Sequence, residues 1–336
     1  MVTILLFLSL LWSGTVRAQC APDAAAINRS LSPGINYGGI FEAKPPEGWG
    51  LSARTGDFKI IAAAGFKGLR LPVRWDAEAG LSPPYKLAPA FLARVDRMVN
   101  AALGSGLIVV LVFHNFDGLM ADPVGQRKRF LGIWARLAHH YSRYPRTLLF
   151  EILNEPSGKM TQTPGLWNAL LPQALAVIRR ENPDRVVLVG PVFWGNAQAL
   201  DGLRLPAGDR NLILSFHDFA PFRFTHQGAP WVGPQTRAWL GTRWTGSSVE
   251  SDELLSDFDE AASYARPRGL PVNLGEYGVY AKADGASRVL WTAAMSRTAR
   301  RYGFSHIYWD FKSGDFGAYD EKAGKWRNDL KDAALR

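Results

Sequence analysis

Short apolar runs recur along this chain. After each comes a stretch whose apolar positions lie three and four apart, and the alternation predicts a strand followed by a helix eight times over. The predicted strands cover residues 34–42, 66–75, 107–115, 148–156, 186–194, 212–219, 272–278 and 306–311. Their helices cover 53–65, 89–104, 126–144, 166–180, 197–203, 251–266 and 288–302, with a closing helix from Asn328 onward and a long insertion after the sixth strand. Eight such units with no low-complexity linker predict a single α/β domain over residues 19–336. An open parallel sheet of this size usually carries a glycine-rich nucleotide loop. None occurs here, so the prediction is a closed (β/α)8 barrel, the TIM barrel.

In such a barrel the chemistry sits at the carboxyl ends of the strands, and polar residues cluster at those positions: Arg70, His114, Asn154, Glu155, His217, Glu276 and Trp309. Glu155 leaves the apolar run LLFEILNEP, and Glu276 leaves PVNLGEYG. Two glutamates far apart in sequence, delivered to one barrel mouth, form the acid pair that glycosidic bond cleavage needs. One protonates the departing oxygen while the other attacks the anomeric carbon or activates water. Glu151, four residues before Glu155 on the same side of its strand, reads as a structural acid deeper in the barrel. Metal-dependent hydrolase barrels usually place an HxH pair on the first strand; there is none, and neither metal nor cofactor is expected.

Composition changes the picture in three places. Residues 4–12 form an apolar stretch too short to span a bilayer, and Val16-Arg17-Ala18 ends it with a small-residue cleavage pattern, so residues 1–18 read as a secretory signal peptide. The expected location is secreted or periplasmic, with no stable membrane insertion after cleavage. One cysteine permits no internal disulfide, so the core must hold the fold, and 47% hydrophobic content suffices for that. The net charge of +9 is scattered in short basic runs such as Arg127-Lys128-Arg129, which read as solvated helix starts and give no reason to expect nucleic acid. Twelve tryptophans supply flat rings. Trp49, Trp75, Trp194 and Trp231 fall in strand-end loops where they either pave sugar subsites or pack, whereas Trp134, Trp167 and Trp291 fall in helices and read as packing.

Taken together, LNEP, GEYG, LRLP, FHN, SFHDF and YWDF resemble the motifs of glycoside hydrolase family 5, the cellulase family of retaining (β/α)8 enzymes. The resemblance implies that Glu155 is the general acid/base and Glu276 the nucleophile. It implies also that Asn154 bonds a sugar 2-hydroxyl, Arg70 lies beneath the nucleophile, His114 and His217 are site histidines, and Trp309 stacks on the glycone. The loop PFRFTHQGAPW, with Trp231, resembles that of a bacterial endoglucanase branch. These parallels imply a monomer acting on β-glucan polysaccharide or oligosaccharide as an endo-β-1,4-glucanase, with mannan, xyloglucan or β-1,3-glucan as related substrates. The departure is Phe219, where the family usually has a tyrosine that donates to the nucleophile. A lost bond to a carboxylate is worth about 1.5–3 kcal/mol, or one to two orders of magnitude in rate, unless Tyr277 or water substitutes. Phe219 therefore also opens the alternative of a glycan-binding barrel with weakened chemistry.

Overall fold

The computed structural model describes residues 24–43 and 50–336; the signal peptide expected over residues 1–18 and the subsite candidate Trp49 lie outside them. Eight parallel strands close in sequential order, β1 (Gly34–Asn36), β2 (Gly68–Val73), β3 (Ile108–Phe113), β4 (Leu148–Glu151), β5 (Val187–Val189), β6 (Leu212–His217), β7 (Val272–Tyr277) and β8 (Ser305–Tyr308), with β8 pairing back onto β1. Helices follow most strands, the longest being Pro89–Gly104, Gly165–Glu181, Ser248–Ala265 and Gly285–Tyr302. No helix among the described residues is long and apolar enough to cross a membrane.

The strands are largely apolar outside the site because both faces are buried, with Ser215, Asn273 and Ser305 as buried polar exceptions. Outward positions such as Leu69, Leu71 and Val73 join the core beneath the helices, while Val110, Val112, Leu149, Leu188, Ile213 and Ile307 fill the lumen. Among the elements that escaped the sequence reading is the helix Ala24–Leu31, which closes the amino-terminal end of the lumen with Ala24, Ile27 and Leu31. It lies so close that a Cβ on Gly68 would stand 2.2 Å from the Leu31 carbonyl oxygen, so only glycine fits there.

Several strands are shorter than predicted. Paired register ends on β1 at Asn36, on β4 at Glu151 and on β5 at Val189; beyond it single amides, Tyr37 to the Arg70 carbonyl and Asn154 to the Phe113 carbonyl, still tie the runs to their neighbours as they turn into rim loops. The apolar content that marked them as strand instead lines the mouth and packs under the loops. Trp75, a subsite candidate, is wholly buried with its indole N–H donated to the Val112 carbonyl, so it packs; Trp134, Trp167 and Trp291 are buried as expected. The basic run is not simply solvated either, since Arg129 donates to the carbonyls of Asp76 and Ala79 and ties down the loop after β2.

Candidate active site

Arg70 organises the mouth from below. Its side chain is completely buried and its fork is fully used: Nε and Nη2 each donate to Glu151 at 2.7 Å, Nη2 donates to Asn154 Oδ1 at 2.6 Å, and Nη1 donates to Asn36 Oδ1 at 3.0 Å and to Glu276. Burial works against its charge, but Glu151 and Glu276 outweigh that and hold the guanidinium above its usual pKa. Glu151 is therefore the structural acid the sequence suggested, and one planar cation holds Glu276, the Asn154 amide and the Glu151 carboxylate together.

The two glutamates meet. One oxygen each from Glu155 and Glu276, with a ring nitrogen of His217, lie within 4.8 Å of one another. Glu155 sits just past β4 in the left-handed region, φ 46°, an uncommon conformation for a glutamate that turns its carboxyl into the mouth. Glu276 lies opposite His217 where the β6–β7 register shifts, a bulge of the kind that re-aims side chains beside active sites. His217 Nδ1 lies 2.9 Å from Glu155 Oε1 and 3.8 Å from Glu276 Oε2. Burial disfavours its charge, yet Glu276 and then Glu155 raise its pKa, so it bridges the acids as a cation more readily than a free histidine. Burial raises the Glu276 pKa above the usual carboxylate value, against the opposing pull of His217 and Arg70. These three side chains also have the spacing of a metal site, although the Glu276 carboxylate already faces the Arg70 guanidinium through Oε1.

Around this pair the mouth opens into two adjoining cavities. The first, about 540 Å³, is lined by His114, Asn154, Glu155, Glu276, Trp309 and Asp310 among others. The second, about 640 Å³, contains Glu155, His217, Trp194 and Phe193 but not Glu276, and the two share Glu155, Phe219, His226 and Trp231. His114 stacks near Trp309 with centroids 6.0 Å apart, and burial, then Arg70, keeps it neutral, well below its usual pKa. Trp309 reaches its place because a Cβ on Gly38 would stand 2.9 Å from its ring. All nine site residues expected from the sequence thus converge on one mouth.

Tyr277 does not fill in for Phe219. It is buried, and its hydroxyl lies 2.9 Å from His306 Nδ1 while its ring packs on Trp291 and Tyr308, away from the mouth, because alternation along β7 sends the residue after Glu276 outward. Phe219 instead packs edge-on to His226. Site residues not anticipated are Asn36, His226 and Phe193. Asn36 and His226 were visible as a polar residue within the first predicted strand and as the histidine of THQG, whereas the exposed placement of Phe193 leaves no mark in sequence. Glu42, also missed, lies behind Trp309; burial pushes it up to about 7 although the backbone amides of Gly39 and Ile40 donate to it.

Comparison with known proteins agrees with this geometry. Endoglucanase H of Acetivibrio thermocellus is 33% identical over 95% of this chain, and the cellulase/esterase CelE of the same organism is 27% identical over 88%. The chain spans 34% and 38% of the length of these two relatives. Among solved structures, endoglucanase Cel5A of Thermotoga maritima, in complex with cellobiose, is 40% identical with a TM-score of 0.89, covering 93% of this chain and all of that one; the same protein has been solved with mannotriose. The cellulose synthase subunit Z of Clostridioides difficile is 32% identical with a TM-score of 0.86, covering 90% and 99%. The family model for cellulase, glycosyl hydrolase family 5, matches residues 36–315, and with the closed barrel and the acid pair at its mouth, the chain belongs to that family.

Proposed function

We propose that this protein is a retaining β-glycoside hydrolase, an endo-β-1,4-glucanase that works by double displacement. The observation that carries the reading is the separation of the two glutamates. Carboxyl oxygens within 4.8 Å of each other fall near the retaining spacing of about 5–5.5 Å and well short of the roughly 6.5–9.5 Å of an inverting pair. Glu276, ionised and held by Arg70, attacks the anomeric carbon as Glu155 gives its proton to the departing sugar oxygen. Glu155 then takes a proton from the water that releases the glycosyl group from Glu276. Asn154 spends its oxygen on Arg70 and directs its amide nitrogen toward His114 Nε2 at 3.5 Å, which leaves one amide N–H to donate to a sugar hydroxyl, and Trp309 offers a ring to the glycone. The mannotriose bound by the Thermotoga relative supports mannan as a second substrate to assay. The apolar leader supports export before action.

The test is reducing-sugar release from carboxymethylcellulose and glucomannan, with the anomeric form of the first product read by NMR. The native protein is expected to give β product first, and Glu155→Ala and Glu276→Ala to release almost none. Binding without turnover by the native protein, or an α product, overturns the reading.

A further inference from the structure

We propose that Thr225 holds His226 in the tautomer that carries its proton on Nδ1, so that Nε2 is a fixed acceptor for a sugar hydroxyl at the cleavage point. The proposal rests on the hydrolase reading and deepens it with a specificity contact that takes no part in the bond exchange.

The tautomer follows from counting protons. Thr225 is fully buried, and its hydroxyl has one proton to give. The Phe219 carbonyl oxygen lies 2.6 Å from Oγ1 and the Phe222 carbonyl 3.4 Å; both can only accept, so the proton is spent on the backbone, on Phe219 by distance. The Thr225 oxygen is then an acceptor toward His226 Nδ1, 3.0 Å away, and Nδ1 must be the nitrogen that carries hydrogen. In a neutral imidazole that leaves a bare lone pair on Nε2. Burial lowers the His226 pKa to about 4 with no opposing charge, unlike His217, which stands between Glu155 and Glu276. Nε2 therefore remains an acceptor in neutral and mildly acidic solution.

Placement gives that acceptor something to meet. His226 lines both cavities of the mouth, as do Glu155, Phe219 and Trp231, so a sugar chain laid across the acid pair passes it at the bond to be cut. Its ring is fixed by stacking on Phe222, centroids 4.1 Å apart and 22° from parallel, and by the edge contact with Phe219 at 5.2 Å. Nε2 has no hydrogen-bond partner among the described residues. A lone acceptor in a wall made mostly of rings favours a group that can donate. A free sugar hydroxyl satisfies it, whereas a methyl ether or an acetyl ester at the same position leaves it desolvated and unpaired.

Two measurements test this. Nitrogen-15 NMR of the resting native protein reads the tautomer without any turnover, and His226 is expected to show hydrogen on Nδ1 and none on Nε2. Kinetics on cellotetraose then measure the contact. His226→Phe keeps a flat ring on Phe222 and removes the acceptor, so kcat/KM should fall by about threefold to tenfold, mainly through KM. Thr225→Val should shift the His226 proton toward Nε2 with a loss of similar size, and Thr225→Ser should recover most of that loss. A native His226 protonated on Nε2, or native kinetics in His226→Phe, overturns this proposal and leaves the hydrolase reading standing. A loss in Thr225→Val with the tautomer unchanged overturns it too, because Thr225 would then act by some other route. If the native protein cuts no cello-oligosaccharide at all, the hydrolase reading falls and takes the proposal with it.

Discussion

The two ends of the barrel both bury polar groups, and they do so in opposite ways. At the amino-terminal end Asn28 donates to the Val272 carbonyl at 2.8 Å and accepts from Ser305 Oγ at 2.7 Å, which in turn accepts from Asn273, and Asn273 meets Ser215. Those groups are neutral and satisfy one another beneath the helix Ala24–Leu31, leaving nothing for a ligand. At the carboxyl end one cation, Arg70, faces two buried carboxylates, and His217 bridges a third to them. That network is charged, its acids outnumber its fixed cation, and the His114 Nδ1 above it has no protein partner among the described residues. The first end closes a structure; the second holds charge in place for something that arrives.

Perturbing each end separately breaks or sharpens that contrast. The largest effect belongs to Glu276→Ala, expected to lower kcat by about 10⁴-fold or more while leaving the melting temperature near or above native, because it removes a buried carboxylate held above its usual pKa. Hydrolysis assays beside calorimetry check both halves. Next is Arg70→Met, which frees Glu151, Glu276 and Asn154 at once. Removing one partner from a buried ion network costs about 3–5 kcal/mol, and activity should fall with it by roughly a hundredfold or more. Native-like stability in that variant would contradict the assignment of Arg70 as organiser.

Phe219→Tyr sits between these extremes. If its hydroxyl reaches Glu276, kcat/KM rises by about tenfold and the acid limb of the pH profile moves down. The sign follows from the nucleophile: Glu276 must be ionised, its pKa is raised by burial, and so activity in the native protein is lost as pH falls through a value above the ordinary carboxylate range. A bond to the ionised form lowers that value. The smallest effect on activity belongs to Asn28→Ala, expected to cost about 1–3 kcal/mol in chemical denaturation and to change kcat/KM by less than about twofold. A large loss of activity there would erase the distinction between the two ends.

Much of this was legible in the sequence because a parallel barrel buries its strands on both faces, so each appears as an apolar run against which its few polar residues stand out. Glu155, Glu276, Arg70 and the two histidines stood out for that reason. Rim loops were harder to read. Residues 152–156 and 190–194 are as apolar as strand, and only closure of the ladder at Glu151 and Val189 shows that they turn away. The helix Ala24–Leu31 is too short and alanine-rich to announce itself, and its role depends on Gly68, some forty positions later. Tyr277 looked available next to Glu276; strand alternation sends it the other way. Phe193 had no separate signal, because exposure is a property of the folded loop.

The covalent step is the centre of this account, and a 2-fluoro cellobioside with a good leaving group tests it most directly. Peptide mapping of the trapped protein should find one glycosyl adduct, on Glu276. An adduct on Glu155, or turnover with inverted product and no adduct at all, would contradict it.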